Sequence, residues 1–256
     1  MVLSENLLKD TLEEFRNKKK LSYVIEKSLP ILFFGDLGSF IKQRRKVITV
    51  GLNPSNIEFQ SNQYDSYSNF RFPEYRNSIG SLEISLSNYF KNDPYRKWFS
   101  TGYEPLLNGM NCTFYNKKSK EKVLHTDICS PLSTNPTWSK LSITQQNELR
   151  KNGFNLWKRL VFEIKPNLII LSTRKSYLNS LNPRLKQVLY SVYKTKEGKP
   201  RRPFNLEHHQ INILDLDIDL VYGEPKNLPF GSVSTEDKIK MGEIIEETFF
   251  KTSLKE

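Results

Sequence analysis

Cysteine is nearly absent from this chain. Two residues, Cys112 and Cys129, stand among 256, too few for a disulfide scaffold and consistent with a reducing compartment. There are only three histidines, so a structural zinc site is not expected either. No apolar run approaches 18 residues, and nothing is expected to span a membrane. The first residues, MVLSENLLKDTLEEF, carry acids early and lack the basic-then-apolar build of a secretory signal. Glycine (11) and proline (13) are scarce enough, and hydrophobic residues (37%) common enough, to exclude collagen-like or wholly disordered chains. Also missing are a phosphate loop, an H-E-x-x-H zinc motif and any Ser-His-Asp ordering, which argues against a nucleotide hydrolase or a serine hydrolase.

Positive charge is plentiful. Lys and Arg total 39 against 28 acids, a formal net charge of +11. Cations cluster at Lys18–Lys20, at Arg44–Lys46, at Lys117, Lys118, Lys120 and Lys122, and at Lys194, Lys196, Lys199, Arg201 and Arg202. Any one cluster reads as a solvated loop, but their number points to a polyanion partner, nucleic acid above all.

Four short apolar runs read as buried strands: Val47–Leu52, Val123–Cys129, Leu168–Leu171 and Ile211–Leu216. Helical patterns lie around them, over Leu3–Lys27, Ser81–Phe90, Tyr95–Leu107, Ser139–Ile164 and Ser234–Phe250. The last opens on a capping pair, Ser234 and Asp237. Strands alternating with helices predict an α/β fold, a three-layer α/β/α sandwich around a four-stranded parallel sheet. No repeat or linker divides the chain. We expect a single domain over 1–256, with a helical N-terminal extension at 1–44 and the α/β core at 45–250.

Ligands of such sheets bind beyond the carboxyl ends of the strands. After the first strand stands Gly51-Leu52-Asn53-Pro54-Ser55, where Gly51 permits close approach, Pro54 fixes a turn and Asn53 projects outward. The bare pattern is also a common turn. The second strand holds Asp127, a carboxylate among apolar residues, which is either satisfied by backbone amides or functional. Between them lies an aromatic segment with Tyr64, Tyr67, Phe70 and Phe72, readable as core or as a stacking wall for a base. Arg174 and Lys175 follow the third strand, where a helix N-terminus can receive a phosphate. After the fourth, residues 215–231 read as a loop carrying Lys226 and the apolar Leu220, Val221, Tyr222, Leu228 and Phe230, which fold on their own core or wedge into a base stack.

In this order, GLNPS at 51–55 and TDICSPL at 126–132 resemble the uracil-DNA glycosylase superfamily over roughly residues 45–250. The resemblance implies a monofunctional DNA glycosylase that hydrolyses the N-glycosidic bond of a flipped-out base. It implies catalytic roles for Asn53, which holds the attacking water, and Asp127, which reads the base edge. Gly51, Pro54, Phe70 and Phe72 would bind the base. Ser55, Arg174, Lys175, Lys226, Arg201 and Arg202 would contact DNA. No metal or cofactor is implied, the partner is modified DNA, and a cytoplasmic monomer is expected.

Two departures stand out. Asn53 cannot accept a proton as an Asp would, and no His stands in 215–231; His208 and His209 precede the last strand, at what reads as its wrong end. Where many members carry an Asn for uracil, Asp127 favours the exocyclic amine of cytosine. The expected substrate is a modified cytosine, removed in DNA repair or antiviral defence. The alternative is a non-catalytic DNA-binding module of the same fold.

Overall fold

The computed structural model describes residues 2–60, 69–116, 120–195 and 197–251. Tyr64, Tyr67, Lys117, Lys118 and Lys196 lie outside the described residues. The elements run α1 (Glu5–Lys18), β1 (Phe33–Phe34), α2 (Leu37–Lys42), β2 (Val47–Gly51), α3 (Ile79–Asn88), α4 (Glu104–Gly109), β3 (Cys112–Thr113), β4 (Glu121–Lys122), β5 (Leu124–Asp127), α5 (Ile143–Ile164), β6 (Leu168–Leu171), α6 (Lys175–Asn179), β7 (Arg184–Lys194), β8 (Pro200–Ile213), β9 (Leu216–Tyr222) and α7 (Thr235–Glu246).

The fold is mixed α/β, but its sheet has seven strands rather than four, in the order β1–β5–β2–β6–β9–β8–β7. It is also not wholly parallel. β6 and β9 pair parallel, Leu168 opposite Asp219 through Leu171 opposite Tyr222. β1 pairs antiparallel with β5, and β8 antiparallel with both β7 and β9.

Three expected strands are present as β2, β5 and β6. The fourth, Ile211–Leu216, is corrected: the chain reverses inside it at Leu214 and Asp215, with φ 50° and 64°. Positive φ at both central residues is the geometry of a two-residue hairpin turn that follows the strand twist. The run therefore ends β8 and begins β9, and β9 occupies part of the stretch read as a loop at 215–231.

The chain forms two compact units: residues 1–42, 50–95 and 124–165 in the first, and 43–49, 96–123 and 166–256 in the second. Residues 1–42 thus belong to the body of the first unit, where α1 packs on α3 and α5.

In the first unit, α1 buries Leu7, Leu8, Leu12 and Phe15 on one stripe, each worth about 1.5–3 kcal/mol of transfer free energy. Ser4 caps it by accepting from the Leu7 amide, while the Glu163 carboxylate accepts from the Ser4 amide at 2.8 Å. Helix α5 opens on a reciprocal capping box, Ser142 with Gln145. The Trp157 indole of α5 donates to Thr126 Oγ1 at 3.0 Å, fixing the helix against β5.

In the second unit, α4 and α7 approach closely where each carries glycine. A Cβ on Gly109 would lie 2.1 Å from the Ile239 carbonyl oxygen, and one on Gly242 2.0 Å from that of Leu106. Helix α7 is capped at Ser234, as its sequence predicts; Met241 and Ile245 are buried, while Ile239 is 38% exposed. Among the described residues no helix is long and apolar enough to cross a membrane.

Candidate functional site

In the first unit the ends of β2 and β5 are locked side by side. The Gly51 carbonyl accepts from the Ile128 amide at 3.1 Å, and the Leu52 carbonyl from Cys129 at 2.9 Å. Position 51 has to be glycine for a reason different from ligand approach. A Cβ there would stand 2.4 Å from Asp127 Oδ1 and 3.0 Å from His125 Nε2. The missing side chain makes room for two polar groups projecting from β5 on the same face, as residues two apart on a strand must.

Asp127 is 6% exposed. Burial, reinforced by the negative charge of Glu58, raises its pKa well above the ordinary carboxylate range, which favours the protonated, uncharged acid. His125 Nε2 lies 3.8 Å from Oδ1, too far for a hydrogen bond. Burial pushes His125 down to about 3, so it is neutral as well. No hydrogen bond holds the Asp127 carboxyl among the described residues. A dry carboxylic acid left in that condition costs free energy and keeps its full donor and acceptor capacity for something else.

Glu58, which the sequence reading missed, is 3% exposed and pushed up to about 7 by burial. The Tyr89 hydroxyl donates to it at 2.6 Å, and Arg71 Nε stands 3.7 Å away. The clue in the sequence was a lone acid among apolar neighbours, Ile57-Glu58-Phe59.

Asn53 is half-buried. Its Nδ2 donates to the Leu132 carbonyl and to Thr134 Oγ1, both at 3.1 Å. Both amide hydrogens are thereby committed, which holds the carboxamide plane and leaves Oδ1 as an acceptor without a partner among the described residues. Pro54 is buried beside it. The Ser55 hydroxyl accepts from the Ile57 amide at 3.2 Å and so caps a short turn.

Of the two aromatics singled out, Phe72 is 1% exposed, with ring centroids 5.7 Å from Phe59 and 5.6 Å from Tyr89. Phe70 is 38% exposed, with the Arg71 guanidinium 4.8 Å over its ring.

The remaining sequence candidates belong to the second unit. Arg174 and Lys175 are exposed at the start of α6, a helix of five residues. Arg201, Arg202 and Lys226 line one cavity. The apolar residues expected in a loop at 215–231 are core: Leu220, Val221, Tyr222 and Phe230 are each at most 2% exposed. The end at which His208 and His209 stand is also corrected. Because β8 runs antiparallel to β9, His208 lies opposite Val221 and Glu207 opposite Tyr222, at the carboxyl end of β9. His208 Nε2 pairs with Asp219 at 2.8 Å and His209 Nε2 with Glu207 at 3.0 Å.

Among the described residues no cluster of three or more His, Cys, Asp or Glu side chains is placed to hold a metal ion. No family model, curated protein or solved structure matches this chain.

Proposed function

We propose that this chain is a monofunctional DNA glycosylase of the uracil-DNA glycosylase type, acting on a flipped-out, modified cytosine. On this reading β5, β2, β6 and β9 correspond to the four-stranded core of that fold, with β7 and β8 added at one edge. The observation that carries the proposal is the buried Asp127 carboxyl, without a hydrogen bond among the described residues, at the end of β5, the strand beside β2, which Asn53 follows.

A neutral carboxylic acid offers one O–H donor and one carbonyl acceptor. Cytosine presents the complement, an acceptor at N3 and an amine at N4. Uracil presents N3–H and O4, which the same carboxyl meets only with its hydroxyl and carbonyl exchanged, so the sense in which the site holds the carboxyl decides between the two bases. The Asn53 carboxamide oxygen, held by its two donated hydrogen bonds, orients a water toward C1′. The water oxygen bonds to C1′ as the C1′–N1 bond breaks; the base departs with the bonding electron pair and takes up the proton that the water gives up. Asn53 accepts no proton, so catalysis rests on positioning and on stabilising the departing base.

Removal of ordinary cytosine would damage the host genome, which favours a modified cytosine and a role in repair or antiviral defence by a cytoplasmic, monomeric enzyme. One observation supports a second reading, a DNA-binding module without turnover: the residue at the water position is an amide.

Single-turnover incubation with matched oligonucleotides, differing only at the target base, followed by alkali, separates the two. The enzyme yields alkali-labile sites at cytosine-type bases. Asp127→Asn lowers that yield roughly 5- to 150-fold, as expected for about 1–3 kcal/mol lost with an unpaired buried partner, and admits uracil. Binding without alkali-labile sites on any base overturns the enzyme reading. An unchanged base preference in Asp127→Asn removes Asp127 from recognition.

A further inference from the structure

In the second unit β7 ends at Lys194 and β8 begins at Pro200, at the tip of a hairpin. The Thr195 amide donates to the Lys199 carbonyl at 2.8 Å and the Gly198 amide to the Thr195 carbonyl at 2.9 Å. Gly198 supplies the positive φ (+78°) that this tight return requires. Beside the tip lies a cavity of ≈ 460 Å³ lined by Thr195, Glu197, Arg201, Arg202, Lys226, Gly231 and Ser232.

Its cations differ from several elsewhere in the chain that are paired. Arg45, Arg159 and Lys18 are each tied to a carboxylate. Arg201 is instead fixed by neutral groups: Nη1 donates to the Ser232 carbonyl at 2.8 Å and Nε to the Arg202 carbonyl at 3.0 Å, while its guanidinium carbon lies 5.9 Å from the centroid of the Phe204 ring. That arrangement holds the fork still and leaves Nη2 without a bond among the described residues. The side chains of Arg202 and Lys226 make no hydrogen bond or ion pair there either. Three positive charges thus converge on one concavity whose single carboxylate is Glu197. A held, planar guanidinium is suited to a phosphate's paired oxygens, and flanking point charges add attraction.

We propose that this cavity is a phosphodiester-binding site, through which the β7–β8 hairpin and the 223–233 segment grip the backbone of DNA. The site rests on DNA being the partner and adds to the base-reading chemistry a separate, sequence-independent anchor. Contacts of this kind set register and carry no base information, and each one lost lowers the salt dependence of binding by about one unit of slope.

The test uses the full chain and an unmodified duplex oligonucleotide, with affinity read by fluorescence anisotropy from about 50 to 200 mM salt. Arg202 and Lys226 are exposed, so Arg202→Gln/Lys226→Gln leaves thermal unfolding unchanged while its log–log salt slope falls by about two units. Lys9→Gln, in the other unit and paired with Glu5 at 2.6 Å, keeps the full slope and serves as the control. A slope unchanged in the double variant overturns the site, as does an equal fall in the Lys9 variant. Because the readout is binding to DNA that offers no target base, the result is independent of base release: alkali-labile sites with an unchanged slope sink the phosphate site alone, and a reduced slope without alkali-labile sites sinks the glycosylase alone.

Discussion

The dry end of β2 and β5 and the wet cavity beside the β7–β8 tip use charge in opposite ways. At the first, burial raises Asp127, lowers His125 and pushes Glu58 up to about 7, which favours uncharged side chains that act through hydrogen-bond geometry. At the second, Arg202 and Lys226 stand in water; what they offer is attraction, screened by salt within about 10 Å at ordinary ionic strength. A buried group discriminates because a mismatched partner leaves it unsatisfied. An exposed one attracts any polyanion equally. The contrast predicts that variants at the dry end change rate, base preference and pH dependence, and variants at the wet cavity change affinity and salt dependence.

The largest effect expected at the dry end is from Asn53→Ala. A positioned polar group of this kind is worth about 10²–10⁴ in rate. Single-turnover base release should fall by that factor while DNA affinity and its salt slope stay as they were. Normal release in this variant would remove Asn53 from the chemistry. A matching loss of affinity would blur the proposed separation of roles.

Next in size is a pH effect on stability. Burial pushes the Glu58 carboxyl up to about 7 in the folded chain, against an ordinary value of about 4.5. The folded protein therefore holds a proton that the unfolded chain releases as pH rises through that window. Stability from this group is complete below about pH 4.5 and is lost as pH climbs toward 7. Asp127, shifted in the same direction, acts with the same sign. His125 acts oppositely: its depressed pKa, about 3 against 6.5, costs stability as pH falls below 6.5. The clean comparison is therefore a difference. Glu58→Gln should gain on wild type by about 3 kcal/mol between pH 4.5 and 7, measured by urea unfolding at a series of pH values. A pH-independent difference would mean that Glu58 is ionised in the folded chain throughout.

The same contrast governs what could be read from the sequence. Strands β2 and β6 were visible because their buried residues are continuous and mostly apolar, and β5 because Val123, Leu124, Ile128 and Cys129 frame its polar centre. Helices α1 and α5 were visible because their apolar residues recur at helical spacing, and α7 because Ser234 also marks its start. The β7–β9 region was not. Its turn at Leu214 and Asp215 has none of the Gly or Asn that usually advertises a hairpin, and the inward positions of β8 include His209, which hides the period of two.

At the dry end, Asp127 was legible as an acid in an apolar strand, and Gly51 as a glycine at a strand end. The reason for that glycine was not, because it lies in β5. Glu58 showed only as an acid between Ile57 and Phe59; its burial depends on Tyr89 and Arg71, which only the fold brings to it. At the wet cavity the cations of 201–202 were plain in the sequence, while their convergence with Lys226 needed the hairpin.

The smallest expected effect is the most local test of the dry end. Gly51→Ala adds one methyl group whose carbon would lie 2.4 Å from Asp127 Oδ1 and 3.0 Å from His125 Nε2. Neither strand end can yield freely, because Gly51 and Leu52 accept hydrogen bonds from Ile128 and Cys129. The methyl must displace the Asp127 carboxyl, at about 1–3 kcal/mol of overpacking, and move it from its reading position. In Asp127→Ala the obstacle is gone, so adding Gly51→Ala to that variant should cost markedly less than it does in the wild type. This non-additivity, expected for groups in contact and absent for groups that are not, is measurable by chemical denaturation of the four proteins in a double-mutant cycle. Additive costs would mean that the methyl and the carboxyl do not meet, and would detach Gly51 from the proposed site while leaving the wet cavity untouched.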